Sequence, residues 1–172
     1  MNPVSGALRF IFKKKVLLYF KTHALVDKTA ILCQPRQIVL GEGTKISNYS
    51  VLKPNEGSIK IGRRVIIGEH CVLYGNNGIE IGDYTLIAPQ ASIMAAGHHI
   101  VPKGKLYFNY PKKGTNGIKI GKNVWIGANA TILDNVSIGD NSIIAAGSVV
   151  TKSIPANTVA MGCPAKEAKK LN

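Results

Sequence analysis

Four histidines, His23, His70, His98 and His99, are the side chains of this 172-residue chain that change protonation near neutral pH. A neutral imidazole can take a proton from a weak nucleophile as it attacks, typically worth roughly 10²–10⁴ in rate, or it can ligate a metal ion. Their sequence positions separate the four. His23 lies in a basic N-terminal stretch with no acid before Asp27, which marks it as structural or solvated. His70 is the fourth residue of a block, IGEHCV, where a side chain is expected to face outward. His98 and His99 are adjacent and open a stretch of different composition, HHIVPKGKLYFNYPKKGTNG. A side chain at such a junction can meet a substrate in a cleft. The three cysteines, Cys33, Cys71 and Cys163, are odd in number and far apart, with no CxxC pair for zinc or dithiol exchange. Cys71 is the fifth residue of its block, where a small buried side chain is wanted. This usage fits a reducing cytoplasmic compartment.

The elements that must position these residues are read from 118–154, IKIGKNVWIGANATILDNVSIGDNSIIAAGSVVTKSI. Aliphatic residues recur at every sixth position: Ile120, Ile126, Ile132, Ile138, Ile144 and Val150. The second residue of a block is usually small, as at Gly121, Gly127, Gly139 and Ala145. The fifth is small or β-branched, as at Val124, Ala130, Val136, Ser142 and Ser148. A helix repeats every three to four residues and a plain strand every two, so neither accounts for this period. A solenoid does: each block is a short strand plus a turn, with its first residue in a shared core. β-branched residues suit the strands, and glycine suits corners that require positive φ.

The phase runs beyond that stretch. It begins weakly at Val26, lapses at LCQPRQ, returns at LGEGTK and strengthens at IGRRVI and IGEHCV. The segment YGNNGIE adds two residues, which predicts a widened corner at Gly75–Gly78. Between Gly97 and Gly117 the period stops, and solenoids expel such insertions as loops on one face. After Ile154, Pro155 ends the repeat, and the tail reads as a strand, a Gly-Cys-Pro turn and a short basic helix. Three parts follow: a basic amphipathic segment, 1–25; a solenoid, 26–165, with an excluded loop, 97–117; and a basic tail, 166–172.

Lysine and arginine exceed aspartate and glutamate by 22 − 9 = 13, so an anionic partner is expected: nucleotide phosphates, nucleic acid or a membrane surface. No RNA or DNA motif and no aromatic base-stacking platform accompanies that charge, so nucleic acid is set aside. The apolar runs of residues 1–25 are too short and too interrupted by Lys13, Lys14 and Lys15 to span a bilayer. Two roles remain for them: capping the open end of the solenoid or of a neighbouring subunit, or lying on an anionic membrane surface.

The blocks IGKNVWIGANATIL and IGDNSIIAAGSVVTK, with the later GCPAK, resemble the hexapeptide-repeat acyltransferases, in their sugar and xenobiotic O-acetyltransferase branch. The resemblance implies a left-handed parallel β-helix of three blocks per triangular coil; with the amphipathic N-terminal segment and the tail read as helices, the fold expected is an all-β solenoid with an excluded loop and short terminal helices. Ordinary parallel crossovers are right-handed, so the hand comes from the resemblance alone. It also implies a homotrimer that moves an acetyl group from acetyl-CoA directly to a hydroxyl of a sugar or glycan, without an acyl-enzyme and without a metal; the location expected from the cysteines and residues 1–25 is cytoplasmic, with peripheral contact at the inner face of the membrane as the alternative.

Residue roles are implied in the same way. The text IAPQASIMAAGHHI matches the family's approach to its catalytic histidine and places a general base at His98, with His99 as the alternative. Gln90 stands where relatives often carry an Asn that contacts the acceptor, and Trp125 would shape the acceptor wall. Ala128, Ala146, Thr151 and Lys152 match positions along the pantetheine arm of CoA. Lys152, Lys166 and Lys169 would neutralise its phosphates; relatives often have Arg at the last two, so charge is kept and bidentate geometry lost. Two other readings stay open. A γ-type carbonic anhydrase shares the fold and binds zinc through three histidines, for which only His70, His98 and His99 are available. Neighbours on a strand point to opposite faces, which sets His98 and His99 against one metal. A non-catalytic scaffold is the third.

Overall fold

A computed structural model of the protein describes residues 23–98, 100–106 and 112–171. The proposed N-terminal helix and His99 fall outside these residues, as does the side chain of His98.

Each block buries two side chains, the aliphatic residue and the small residue two places before it. Val124 and Ile126, Ala130 and Ile132, Val136 and Ile138, Ser142 and Ile144, and Ser148 and Val150 are all 2 % exposed or less. The residue between each pair points to solvent, as extended backbone requires. The first turn comprises β1 (Leu25–Val26), β2 (Ile31–Leu32) and β3 (Ile38–Leu40), and the second β4 (Lys45–Ile46), β5 (Val51–Lys53) and β6 (Ile59–Ile61). The third comprises β7 (Ile66–Ile67), β8 (Val72–Tyr74) and β9 (Ile79–Ile81). In the fourth, β10 (Leu86–Ile87) and β11 (Ser92–Met94) lead to a two-stranded stem, β12 (Gly97–His98) and β13 (Lys112–Lys113), before β14 (Ile118–Ile120). β15 (Trp125–Ile126), β16 (Thr131–Leu133) and β17 (Ser137–Ile138) form the fifth turn. β18 (Ile143–Ile144) and β19 (Val149–Val150) form most of the sixth, followed by β20 (Thr158–Gly162) and β21 (Ala165–Lys170).

Three parallel sheets result. The first face runs β1-β4-β7-β10-β15-β18-β20-β21, the second β2-β5-β8-β11-β16-β19 and the third β3-β6-β9-β14-β17. Along the first face Leu25, Lys45, Ile66, Leu86, Trp125, Ile143 and Val159 are successive partners. A turn therefore takes 20, 21, 20, 39, 18 and 16 residues in order. The early surplus is taken up where the second face turns into the third. A 3₁₀ turn at Pro35–Gln37 fills that corner in the first coil. At the widened corner of the third, Gly78 (φ 93°) donates its N–H to Gly75 O at 2.9 Å.

The corners use glycine differently from the sequence reading. Positive φ falls on the fourth residue of a block, and in the fifth coil and the corner after it asparagine occupies it: Asn123 (52°), Asn129 (57°), Asn135 (63°) and Asn141 (58°). Asparagine tolerates this region because its short amide bonds locally. At the edge between the third and first faces these amides stack, Asn123 Nδ2 donating to Asn141 Oδ1 at 3.0 Å and Asn141 Nδ2 to Asn157 Oδ1 at 3.1 Å. The second-residue glycines are needed for close approach instead. A Cβ on Gly82 would lie 2.6 Å from Gly121 C and 2.7 Å from Lys122 N in the next coil.

Buried fifth-position hydroxyls are satisfied between coils. Thr85 Oγ1 donates to Gly121 O at 2.8 Å and accepts from Val124 N–H at 3.2 Å. The tail departs from expectation. Residues 165–170 form a strand, not a helix, and β21 runs antiparallel to β20 with Lys169 opposite Val159. Cross-strand bonding to a preformed edge overrides the helix preference of AKEAKK.

Candidate active site

Every described candidate residue belongs to the fourth coil or later, and most of them lie on two edges of the triangular cross-section. At the edge between the first and second faces, Gln90 is exposed with φ 64°, and its N–H donates to Glu69 O at 2.8 Å. Ala128 and Ala146 follow in the next two coils on that edge, linked by Gly147 N–H to Ala128 O at 2.8 Å. Small side chains leave the backbone open there: Ala128 is half-buried and Ala146 exposed. Trp125 lies beside this edge on the first face, 51 % exposed, in register between Leu86 and Ile143.

The other edge joins the second face to the third. The chain leaves the stack here after β11, and the stem pairs Gly97 with Lys113 and His98 with Lys112. Thr151 and Lys152, both exposed, turn the same edge two coils on, after β19. Gln90 and His98 thus stand on opposite sides of β11. At roughly 3.3 Å per extended residue, the stretch 91–95 alone holds them roughly 15 Å apart. Lys166 and Lys169 project from β21 at the end of the first face, exposed, and among the described residues neither has a carboxylate partner.

Below the stem lies a polar cluster that sequence reading missed. Asp134, in the corner after β16, accepts from Asn77 Nδ2 at 2.8 Å and from the Thr115 hydroxyl at 2.7 Å. Thr115 Oγ1 also accepts from Gly117 N–H at 3.0 Å. A Cβ on Gly97 would lie 3.6 Å from Asp134 Oδ2. From the fifth coil the carboxylate bonds the third coil and the returning end of the excluded loop, and the departing end passes beside it at Gly97.

His70 is exposed and stacks on Tyr49, ring centroids 5.0 Å apart, remote from the stem. Among the described residues no three His, Cys, Asp or Glu side chains gather as metal ligands would. Among them also, no helix is long and apolar enough to cross a membrane.

Residues 117–152 match the bacterial transferase hexapeptide (six repeats) family. The chain is 34 % identical over 164 residues to the galactoside O-acetyltransferase of Escherichia coli K12, covering 92 % of this chain and 77 % of that one. A maltose O-acetyltransferase from Clostridium difficile 630 superposes with a TM-score of 0.58 at 30 % identity, over 93 % of this chain and 75 % of the other. A variant of AntD, an N-acyltransferase from Bacillus cereus solved with dTDP and coenzyme A, gives 0.78 at 25 % identity, over 88 % and 82 %. With the coil stack, the repeat and a relative of this identity and coverage in agreement, the chain belongs to the hexapeptide-repeat acyltransferases and is an acetyltransferase of their sugar-modifying branch.

Proposed function

We propose that the protein transfers an acetyl group from acetyl-CoA directly to a hydroxyl of a sugar or glycan, with His98 as general base. The observation that carries this reading is the position of His98: it pairs in the stem at the point where the excluded loop leaves the stack. There an imidazole can face a bound acceptor while the pairing with Lys112 holds its backbone. A neutral imidazole takes the hydroxyl proton as the oxygen attacks the thioester carbonyl carbon. The oxyanion collapses, the C–S bond breaks, and the leaving thiolate takes the proton back from the imidazolium. No serine or cysteine nucleophile is required.

The division of the candidates between two edges supports assembly. Gln90, Ala128 and Ala146 lie on one edge, and His98, Thr151 and Lys152 on the other. One prism cannot close both around one substrate pair. A ring of three copies, second faces inward, brings the edge of one copy against the opposite edge of the next, and such a head-to-tail interface closes. The outward residues of the second face suit that contact, being largely apolar and half-buried: Val51, Val72, Tyr74, Met94 and Val149. In this arrangement Lys152, Lys166 and Lys169 supply the positive charge for the CoA phosphates.

The test is acetyl transfer to a panel of galactosides, maltose and glycan fragments, read by thiol release, alongside light scattering at micromolar concentration. His98→Ala should lower turnover by roughly 10²–10⁴ while acetyl-CoA still binds. Activity of the native chain should rise with pH through the imidazole range, about 6.5 for an unperturbed side chain. His99→Ala should cost far less. A dead His99→Ala beside an active His98→Ala moves the role by one residue, full activity in both removes it, and a monomer removes the shared cleft.

A further inference from the structure

The cluster beneath the stem ties chain segments that are remote in sequence. Asn77 belongs to the wide corner of the third coil, Thr115 to the returning end of the excluded loop, and Asp134 to the fifth coil. Asp134 spends its two oxygens on two different segments, Oδ1 on Thr115 at 2.7 Å and Oδ2 on Asn77 at 2.8 Å. Hydrogen bonds to a carboxylate are the stronger kind. Thr115 passes the restraint on, because its oxygen holds the Gly117 N–H at 3.0 Å. Gly117 itself fits tightly, since a Cβ there would meet the backbone oxygens of Asn77 and Gly78. At the departing end, Gly97 faces Asp134 Oδ2, with 3.6 Å to a Cβ built on it. The next residue is His98.

We propose that Asp134 is a positioning residue: its carboxylate, held by Asn77 and Thr115 and set against Gly97, fixes the angle at which the stem leaves the coil and so the place of His98. This rests on the reading of His98 as the base. A turn needs none of this. A polar pair such as Asp134–Asn135 can close a corner locally, yet Asp134 reaches across 57 residues to Asn77. The aliphatic core runs the length of the stack, so Asp134→Ala is expected to melt near the native chain while the clamped loop ends loosen.

The experiment compares Asp134→Ala, Asp134→Asn and His98→Ala with the native chain by hydrogen exchange, thermal melting, and turnover with acetyl-CoA and a galactoside or maltose. In Asp134→Ala, amides at Gly97, Gly117 and Ile118 should exchange faster while those of β15 to β19 keep their protection. Turnover should fall about 10- to 100-fold, the scale of a misplaced catalytic group, with KM for acetyl-CoA unchanged. Asp134→Asn should recover most of the turnover. Its amide oxygen still accepts from Thr115, and its NH₂ can donate to Asn77 once that amide turns over. Unchanged exchange at Gly97 and Gly117 in Asp134→Ala overturns the clamp. Faster exchange with full turnover, beside a dead His98→Ala, overturns the transmission to His98. Full turnover in His98→Ala overturns the catalytic reading instead, and the clamp is then decided by the exchange data alone.

Discussion

Cys71 Sγ lies 3.2 Å from the Ala88 carbonyl oxygen with no exposed surface, and burial pushes its thiol up to about 11. Desolvation opposes the thiolate, so the folded chain keeps the proton that the unfolded chain releases. The contribution to stability is complete below the ordinary value of 9.0 and declines as pH climbs toward about 11. At pH 8 a thiol reagent should modify exposed Cys163 first and reach Cys71 only through unfolding. Equal labelling rates at the two sites, by peptide mapping, would refute this. The same scale shows what a sequence conceals. Cys71 was legible as a small buried residue because the period assigns its slot. Asp134 was not, because Asp-Asn in a corner reads as a turn and its partners lie 57 and 19 residues away. Gln90 and His98 are candidates by resemblance alone, which says nothing of the strand that separates them.

Among the elements, strand and corner answer to different rules. Gly82→Ala should cost about 1–3 kcal/mol by driving a methyl into the Gly121–Lys122 backbone. Gly147→Asn should be nearly neutral. Gly147 has φ 69° and open space beside it, and Asn129 holds the equivalent place one coil earlier with φ 57°. Thermal melts of the two variants decide; equal losses would mean that crowding and backbone conformation had been wrongly assigned. The period in 118–150 is readable because those strands advance by a constant 18 residues. Earlier coils take 20 or 21, since a corner can gain residues without moving a core side chain, and there the pattern blurs. The strand at 165–170 was misread for a related reason. AKEAKK buries only Ala165 and so carries no alternation, and its partner β20 alone makes it extended.

As a whole, the molecule is close to one-dimensional. Each coil touches the coil before and the coil after, and stability accumulates along the axis. Such a stack has a direction. Every strand of the first face from β1 to β20 runs parallel to its neighbours, so the natural continuation of β20 is one more parallel strand, from this chain or from another copy. β21 occupies that place while running the opposite way. Lys166 and Lys169, opposite Met161 and Val159, stand on its outward side, and charged edges resist strand addition. Deleting residues 163–172 should yield assemblies that lengthen with protein and salt concentration, seen by light scattering; a truncated chain of unchanged size at every concentration would refute this. On that prediction the reversed strand acts as a terminator in the polymer sense, closing one end of a repeat that has no intrinsic stopping point.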